Sequence, residues 1–286
     1  MPAYPRPCPL CGAAPKGAAF PWASTYAGES YGYFACSACA TRYIDPVPGV
    51  AAMAQMYGTG DYHEAFYAED GHAPYQQTAS RLAAQLPPGA RVLDYGCGAG
   101  HLLAALKSQG FAAEGAEFSG KAAANAAAKS GCPVHDLSVP GWQAAGPWAA
   151  IHFGDVIEHL PDPRQTVADL LPLITTGGIL SAEGPLEANA SLVNGAIALF
   201  GQAKRWLKPD AVGTFPPYHL LFTTAAAQRR FFAAMPGLTE LHWQVSENGW
   251  PYRGNGRLRD VIARAAMAAS WLPGVGNRFS VLMRKG

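Results

Sequence analysis

Apolar positions in the middle of the chain come in short runs closed off by glycine, and their order predicts alternating strands and helices. Val92-Leu93-Asp94-Tyr95 reads as a buried strand, Gly96-Cys97-Gly98-Ala99-Gly100 as a turn, and residues 101–107 as the start of a helix. A second strand is expected over 111–116, ending in Glu117, with others at 133–135, 149–153 and 178–182. That order predicts an α/β fold, a doubly wound and mainly parallel sheet whose ligand crevice lies at the carboxyl ends of the first strands.

Around this frame the pattern changes. Residues 186–222 are too long for an ordinary strand-to-helix connection and predict a helical cover over the pocket, with Leu192, Ala196, Leu199 and Phe200 as its apolar stripe and Lys204, Arg205 and Lys208 at its end. A second insertion, 247–276, separates the last two strand candidates and carries Trp250, Tyr252, Arg253, Arg257 and Arg259. Within it, 258–271 reads as a helix whose apolar face either packs on the domain or joins a second subunit. Residues 46–60 read as a linker and short helix. The stretch 61–75, with Tyr62, His63, Phe66, Tyr67, His72 and Tyr75, either folds over a ligand or packs on the domain surface. The division expected is 1–45, a linker and helical segment at 46–75, and a main domain at 76–286 holding both insertions.

Composition narrows the function classes. Only 14% of the 286 residues are charged, and 21 Lys and Arg against 20 Asp and Glu leave a net charge of +1. A dedicated nucleic-acid binder needs a positive field, and disorder needs low hydrophobicity with high net charge; neither fits a chain that is 49% apolar. The longest uncharged stretches, 137–154 and 211–228, are broken by Pro140, Pro147, Pro216 and Pro217, so no transmembrane helix is expected. The opening residues carry no charged-then-apolar run, which predicts a cytoplasmic protein with reduced thiols.

Under reducing conditions, Cys8-x-x-Cys11 and Cys36-x-x-Cys39 read as a metal site, each turn aiming two thiolates at one point. Zinc and iron would use the same four ligands. With every ligand from the protein, the site is structural, and it lets some 45 residues fold as a small zinc ribbon without a large core.

Glycines in the first turn allow close approach of a ligand, and Glu117 at the end of the second strand is placed for ribose hydroxyls. The turn is Gly96-x-Gly98-x-Gly100, not the dinucleotide Gly-x-Gly-x-x-Gly, and Asp94 ahead of it suits an ammonium and repels a pyrophosphate. The run from Val92 to Gly100 resembles the first motif of class I S-adenosylmethionine-dependent methyltransferases. The likeness continues through Gly115-Ala116-Glu117-Phe118-Ser119, Asp155-Val156-Ile157-Glu158-His159-Leu160-Pro161-Asp162-Pro163 and Gly177-Gly178-Ile179-Leu180. Two departures, Trp148-Ala149 for Phe-Asp and Thr176-Gly177-Gly178 for Pro-Gly-Gly, fall where no donor contact is expected.

The resemblance implies a Rossmann-like, seven-stranded sheet with helical insertions after its fifth and sixth strands, and it assigns roles. Asp94 and the backbone of Gly96, Gly98 and Gly100 would hold the methionine part of the donor, Glu117 the ribose, Phe118 and Asp136 the adenine, and Asp155 would sit beside the reactive methyl. Quinone-biosynthesis O-methyltransferases have a similar acidic-x-x-Glu-His stretch linked to magnesium, so Asp155, Glu158 and His159 are candidate ligands for that ion. Methyl transfer needs alignment, plus a base when the acceptor is a hydroxyl. His159 and His219 are the candidate bases; His219 and Tyr218 stand after Pro216-Pro217, which stiffens the backbone that presents them.

The function expected is therefore methyl transfer from S-adenosylmethionine to a small molecule, with oxygen the target, in natural-product, quinone or sugar biosynthesis. The expected partner is that small-molecule acceptor, with no nucleic acid and no membrane, in a monomer or homodimer. Two alternatives stand beside it. Ribosomal-RNA base methyltransferases also join a cysteine ribbon to this fold, though neutral charge and the acidic stretch 155–158 speak against one. A non-catalytic ribbon module would need the donor motifs to be idle.

Overall fold

In the computed structural model, residues 5–58, 72–208, 212–249, 251–252, 254, 256–269 and 271–286 are described. Of the aromatic-rich stretch, Tyr62, His63, Phe66 and Tyr67 lie outside them, as do Trp250 and Arg253 of the second insertion.

The amino-terminal part forms strands β1 (Pro15–Tyr26), β2 (Glu29–Cys36) and β3 (Arg42–Asp45), then helices α1 (Val50–Gly58) and α2 (His72–Ala83). The alternating region gives β4 (Arg91–Tyr95), α3 (His101–Ser108), β5 (Ala112–Glu117), α4 (Gly120–Ser130), β6 (Val134–Asp136), β7 (Trp148–Gly154), α5 (Pro163–Leu170) and β8 (Ile174–Pro185). The remainder supplies α6 (Leu192–Leu207), β9 (Leu221–Phe222), α7 (Ala225–Ala233), β10 (Leu238–Ser246), α8 (Arg257–Ala269) and β11 (Arg278–Lys285).

Seven strands make one sheet in the order β10-β11-β8-β7-β4-β5-β6. β4 is parallel to β5 and β7, while β11 runs antiparallel to both β8 and β10. Helices cover both faces, so β4 is buried on both sides from Val92 to Tyr95, an apolar run there interrupted only by Asp94. The chain leaves β4 in opposite directions to reach β5 and β7, and the crevice opens at that switch point. Cross-strand register brings Glu117 opposite Asp136 and Gly154 opposite Glu183 along the same edge.

The second sheet, β1-β2-β3-β9, changes the picture of the ribbon. Its last strand comes from the segment read as a cover, with Tyr43 paired to Leu221. Tyr31, Tyr33 and Tyr43 are fully buried, and the ribbon shares one core with Phe153, Leu180 and Phe279 of the large sheet and with Ile157 of the turn after β7. Residue 45 is thus no packing boundary, and the cysteines are not the sole support of the first 45 residues. Apolar burial against the main domain does much of that work.

The cover helix also sits differently from its expected pose. Leu192, Leu199 and Phe200 point to solvent, Val193 is buried, and Gly201 lies against Phe20 of β1. Of the expected apolar stripe, Leu192, Leu199 and Phe200 therefore face outward, while Ala196 is half-buried.

Candidate active site

Asp94, one residue before the end of β4, has its side chain buried; that burial first, then the carboxylates of Glu117 and Glu183, push its pKa up to about 8. Gly96 turns the chain with φ +76, and a Cβ there would stand 2.6 Å from Val156 Cγ2, so only glycine fits. Gly98 N–H donates to Glu117 Oε2 at 2.9 Å, and Phe118 N–H donates to Glu117 Oε1 at 2.7 Å. The two amides tie the first turn to the end of β5 and aim the Glu117 carboxylate. Phe118 leaves its ring exposed, edge-on to Tyr95 at 5.9 Å between centroids. Asp136 Oδ1 accepts from the Ser138 hydroxyl at 2.6 Å and its N–H at 2.9 Å, bonds that hold the carboxyl below its usual range.

Asp155 follows β7 at φ +52 and is engaged by Arg278 Nη2, 2.8 Å from Oδ1 and 3.1 Å from Oδ2. Asp155, Glu158 and His159 stand at i, i+3 and i+4, a spacing that shares one face only on an α-helix, and here the chain makes a tight 3-10 turn over Ile157–His159. Glu158 is buried, its Oε1 has no hydrogen-bond partner, and burial, then Asp155, push its pKa up to about 8. His159 Nδ1 donates to the Tyr218 carbonyl at 2.7 Å, an assignment that leaves Nε2 as the imidazole's lone pair. The ring of His219 packs edge-on against it, 4.8 Å between centroids. His219 Nδ1 lies 2.9 Å from Glu187 Oε2. Burial opposes the charged imidazole, but Glu187, Glu158 and Asp155 outweigh it and raise the pKa to about 9.

Sequence positions 155–159 and 218–219 therefore do meet, through Leu220 N–H donating to the Glu158 carbonyl at 2.7 Å. The ligand-type atoms of Glu158, His159 and His219 gather within 4.8 Å of one another, with His219 where Asp155 was expected. A carboxylate with two imidazoles is a poor match for magnesium, which prefers oxygen ligands. Tyr218 contributes its carbonyl to His159, and burial raises its phenol pKa. Sequence reasoning missed Glu187, Glu183 and Arg278. Glu183 accepts from Thr78 Oγ1 at 2.9 Å and pairs with Arg81 at 3.1 Å. The signal for both acids was their place at or just past the end of β8; Arg278 left none.

In the ribbon, Sγ atoms stand 3.7 Å apart for Cys8 and Cys39 and 3.5 Å apart for Cys11 with Cys36 and with Cys39. A tetrahedral ion with metal–sulfur bonds of about 2.3 Å needs edges of about 3.8 Å, which these three separations approach, and all four sulfurs lie within 4.8 Å of one another. Cys36 Sγ also accepts from the Ala38 N–H at 3.3 Å, as the turn between paired cysteines requires. All six cysteines are free of disulfides.

A family model described as a methyltransferase domain matches residues 67–254, about two thirds of the chain. The chain belongs to that family. With its seven-strand order, the protein is a class I S-adenosylmethionine-dependent methyltransferase, as its motifs implied. No curated protein matches it. Among solved structures, the methyltransferase shares its fold with coclaurine N-methyltransferase bound to N-methylheliamine and SAH, at 13% identity and a TM-score of 0.50 over 74% of this chain and 72% of that one. Magnesium protoporphyrin IX methyltransferase from Synechocystis PCC 6803 is 14% identical, with a TM-score of 0.49 over 85% of this chain and 100% of its own. A SAM-dependent methyltransferase from Archaeoglobus fulgidus is also 14% identical, with a TM-score of 0.49 over 78% and 98%.

Proposed function

We propose that this methyltransferase moves a methyl group onto a hydroxyl of a small molecule, with Asp94, Gly96, Gly98, Gly100, Glu117, Phe118, Asp136 and Asp155 lining the donor site. The observation that carries the reading is the Glu117 carboxylate, fixed by the Gly98 and Phe118 amides beside a buried Asp94. The charged groups acting on Asp94, Glu117 and Glu183, are both acids, which suits a ligand that brings its own ammonium. Bound there, S-adenosylmethionine supplies an electrophilic methyl group on a sulfonium.

Glu187 holds Nδ1 of His219, so His219 turns Nε2 toward the acceptor and takes its proton there. His159, braced by the Tyr218 carbonyl, is the second base of the pair, and Tyr218 holds that geometry through its backbone. In this reading Asp155 aligns Arg278 and the donor edge rather than an ion, and no step is assigned to magnesium. The four ribbon thiols hold zinc as a structural ion, in keeping with a reducing, cytoplasmic setting. Residues 1–45 and 76–286 act as one unit through β9, with 46–75 as the connection.

Calorimetry tests the donor site. Native protein should bind S-adenosylhomocysteine and Glu117→Ala should not; silence from the native chain would sink the reading. A panel of hydroxylated and aminated small molecules, incubated with methyl-labelled donor, tests the acceptor. Label recovered on nitrogen alone would refute the oxygen assignment.

A further inference from the structure

Helices α6 and α8, one from each insertion, pack against each other at the surface. Each buries small or single apolar residues inward, Val193 on α6 and Ala263 and Ala266 on α8. Their outer sides are apolar. On α6, Leu192, Leu199 and Trp206 recur at i, i+7 and i+14, flanked by Phe200 and Leu207, and exposure reaches 70% at Leu199 and 84% at Trp206. On α8, Leu258 and Val261 face solvent, followed by Trp271, which is 78% exposed. Soluble surfaces rarely carry so many large apolar side chains together without something to cover them.

Charge decides what covers this one. Residues 192–208 and 257–269 hold six exposed cations, among them Lys204, Lys208, Arg257 and Arg264, against one carboxylate, Asp260, a net of +5 in a chain whose total is +1. Symmetric self-association through this face would set that charge against its own copy. Apolar anchors with tryptophan, interspersed with Lys and Arg, match the in-plane amphipathic helices that lie on lipid.

We propose that the α6–α8 face docks on anionic lipid surfaces, with Leu199, Phe200 and Trp206 entering the headgroup boundary and the flanking cations meeting lipid phosphates. The described residues contain no helix long and apolar enough to cross a membrane. Lying on one asks only for an exposed amphipathic face, which the outward-turned stripe of α6 supplies. The inference is independent of the acceptor and of the transfer chemistry.

Sedimentation with vesicles tests it, using full-length protein and either phosphatidylglycerol with phosphatidylcholine in equal parts or phosphatidylcholine alone. The anionic vesicles should bind at least about tenfold more tightly, and 0.5 M salt should remove most of the difference. Leu199→Gln with Trp206→Gln, and separately Lys204→Gln with Arg257→Gln and Arg264→Gln, should each cost about tenfold or more in vesicle affinity. Both sets should keep S-adenosylhomocysteine binding, which shows that they fold. Equal binding to neutral vesicles, or unchanged binding by the charge variant, would overturn the proposal. So would a dimer that the Leu199 and Trp206 changes dissolve while vesicles are ignored, an outcome that gives the face to a second copy. Failure of native protein to bind S-adenosylhomocysteine would leave the vesicle result standing and strike only the donor-site reading.

Discussion

The Glu187 carboxylate stands 2.9 Å from Nδ1 of His219, and Arg42 of the ribbon donates to the Glu187 carbonyl at 2.8 Å. A residue of the cysteine ribbon thus holds the backbone of the acid that orients a histidine at the mouth of the large sheet. Residues 221–222, beginning two positions after that histidine, pair with β3 of the same ribbon.

Replacing Glu187 by Gln removes the largest contribution that raises the His219 pKa. The imidazole should then titrate well below about 9, with burial left to dominate, and nitrogen-detected NMR of the histidine rings reads the change. Because the charged imidazole is stabilised by folding, its contribution is fully present below about 6.5 and is lost as pH rises through about 9. Thermal unfolding of native protein should exceed that of Glu187→Gln most at the acidic end of this window. If His219 is the base proposed above it must be neutral to take the acceptor's proton, so the rate should climb with pH toward about 9, and the climb should begin at lower pH in Glu187→Gln.

Asp94 carries a pKa of about 8 in the free protein and must ionise to pair with an ammonium. Binding of S-adenosylhomocysteine should therefore release a proton near neutral pH and strengthen by up to about tenfold per pH unit between 6 and 8. Calorimetry in buffers of different ionisation heat measures that release. Asp94→Asn should bind more weakly and lose the pH slope; a slope retained in that variant would assign it to another group.

Gly96→Ala meets two obstacles, the positive φ and the Val156 side chain 2.6 Å from the added carbon. A loss of about 1–3 kcal/mol in stability is expected, with donor binding lost as the turn shifts. Adding Val156→Ala relieves the clash but not the dihedral, so denaturant unfolding of the double variant should show partial recovery only.

With the proposed zinc on the four thiols, its removal by chelation or by Cys36→Ser should lower the melting temperature by on the order of 5 °C without unfolding the large sheet. Tyr31, Tyr33 and Tyr43 keep part of the ribbon anchored in the common core. The His219 ring signals should move as well, because Arg42 and β9 transmit the loosening. Unchanged His219 resonances in metal-free protein would show that ribbon and histidine are mechanically separate.

Much of the frame was legible along the chain. Runs such as Val92 to Tyr95, the glycines at 96, 98 and 100 and the acids at 94 and 117 announce themselves because strand burial, positive φ and strand-end chemistry act within a few residues. The cysteine pairs were legible for the same reason, since each turn places its two sulfurs by local geometry.

Tertiary structure alone decided the rest. His219 and Glu187 are 32 residues apart and Asp155 and Arg278 are 123 apart, and no local pattern links such pairs. Periodicity revealed a stripe on α6 but not its direction, because a helix shows which residues share a face while its neighbours settle which face is buried. Here Gly201 fits against Phe20 and turns Leu199 and Trp206 outward. Sequence determined the elements and the chemistry carried at their ends; long-range packing, which obeys shape and burial across the whole chain, determined which ends meet and which faces remain open.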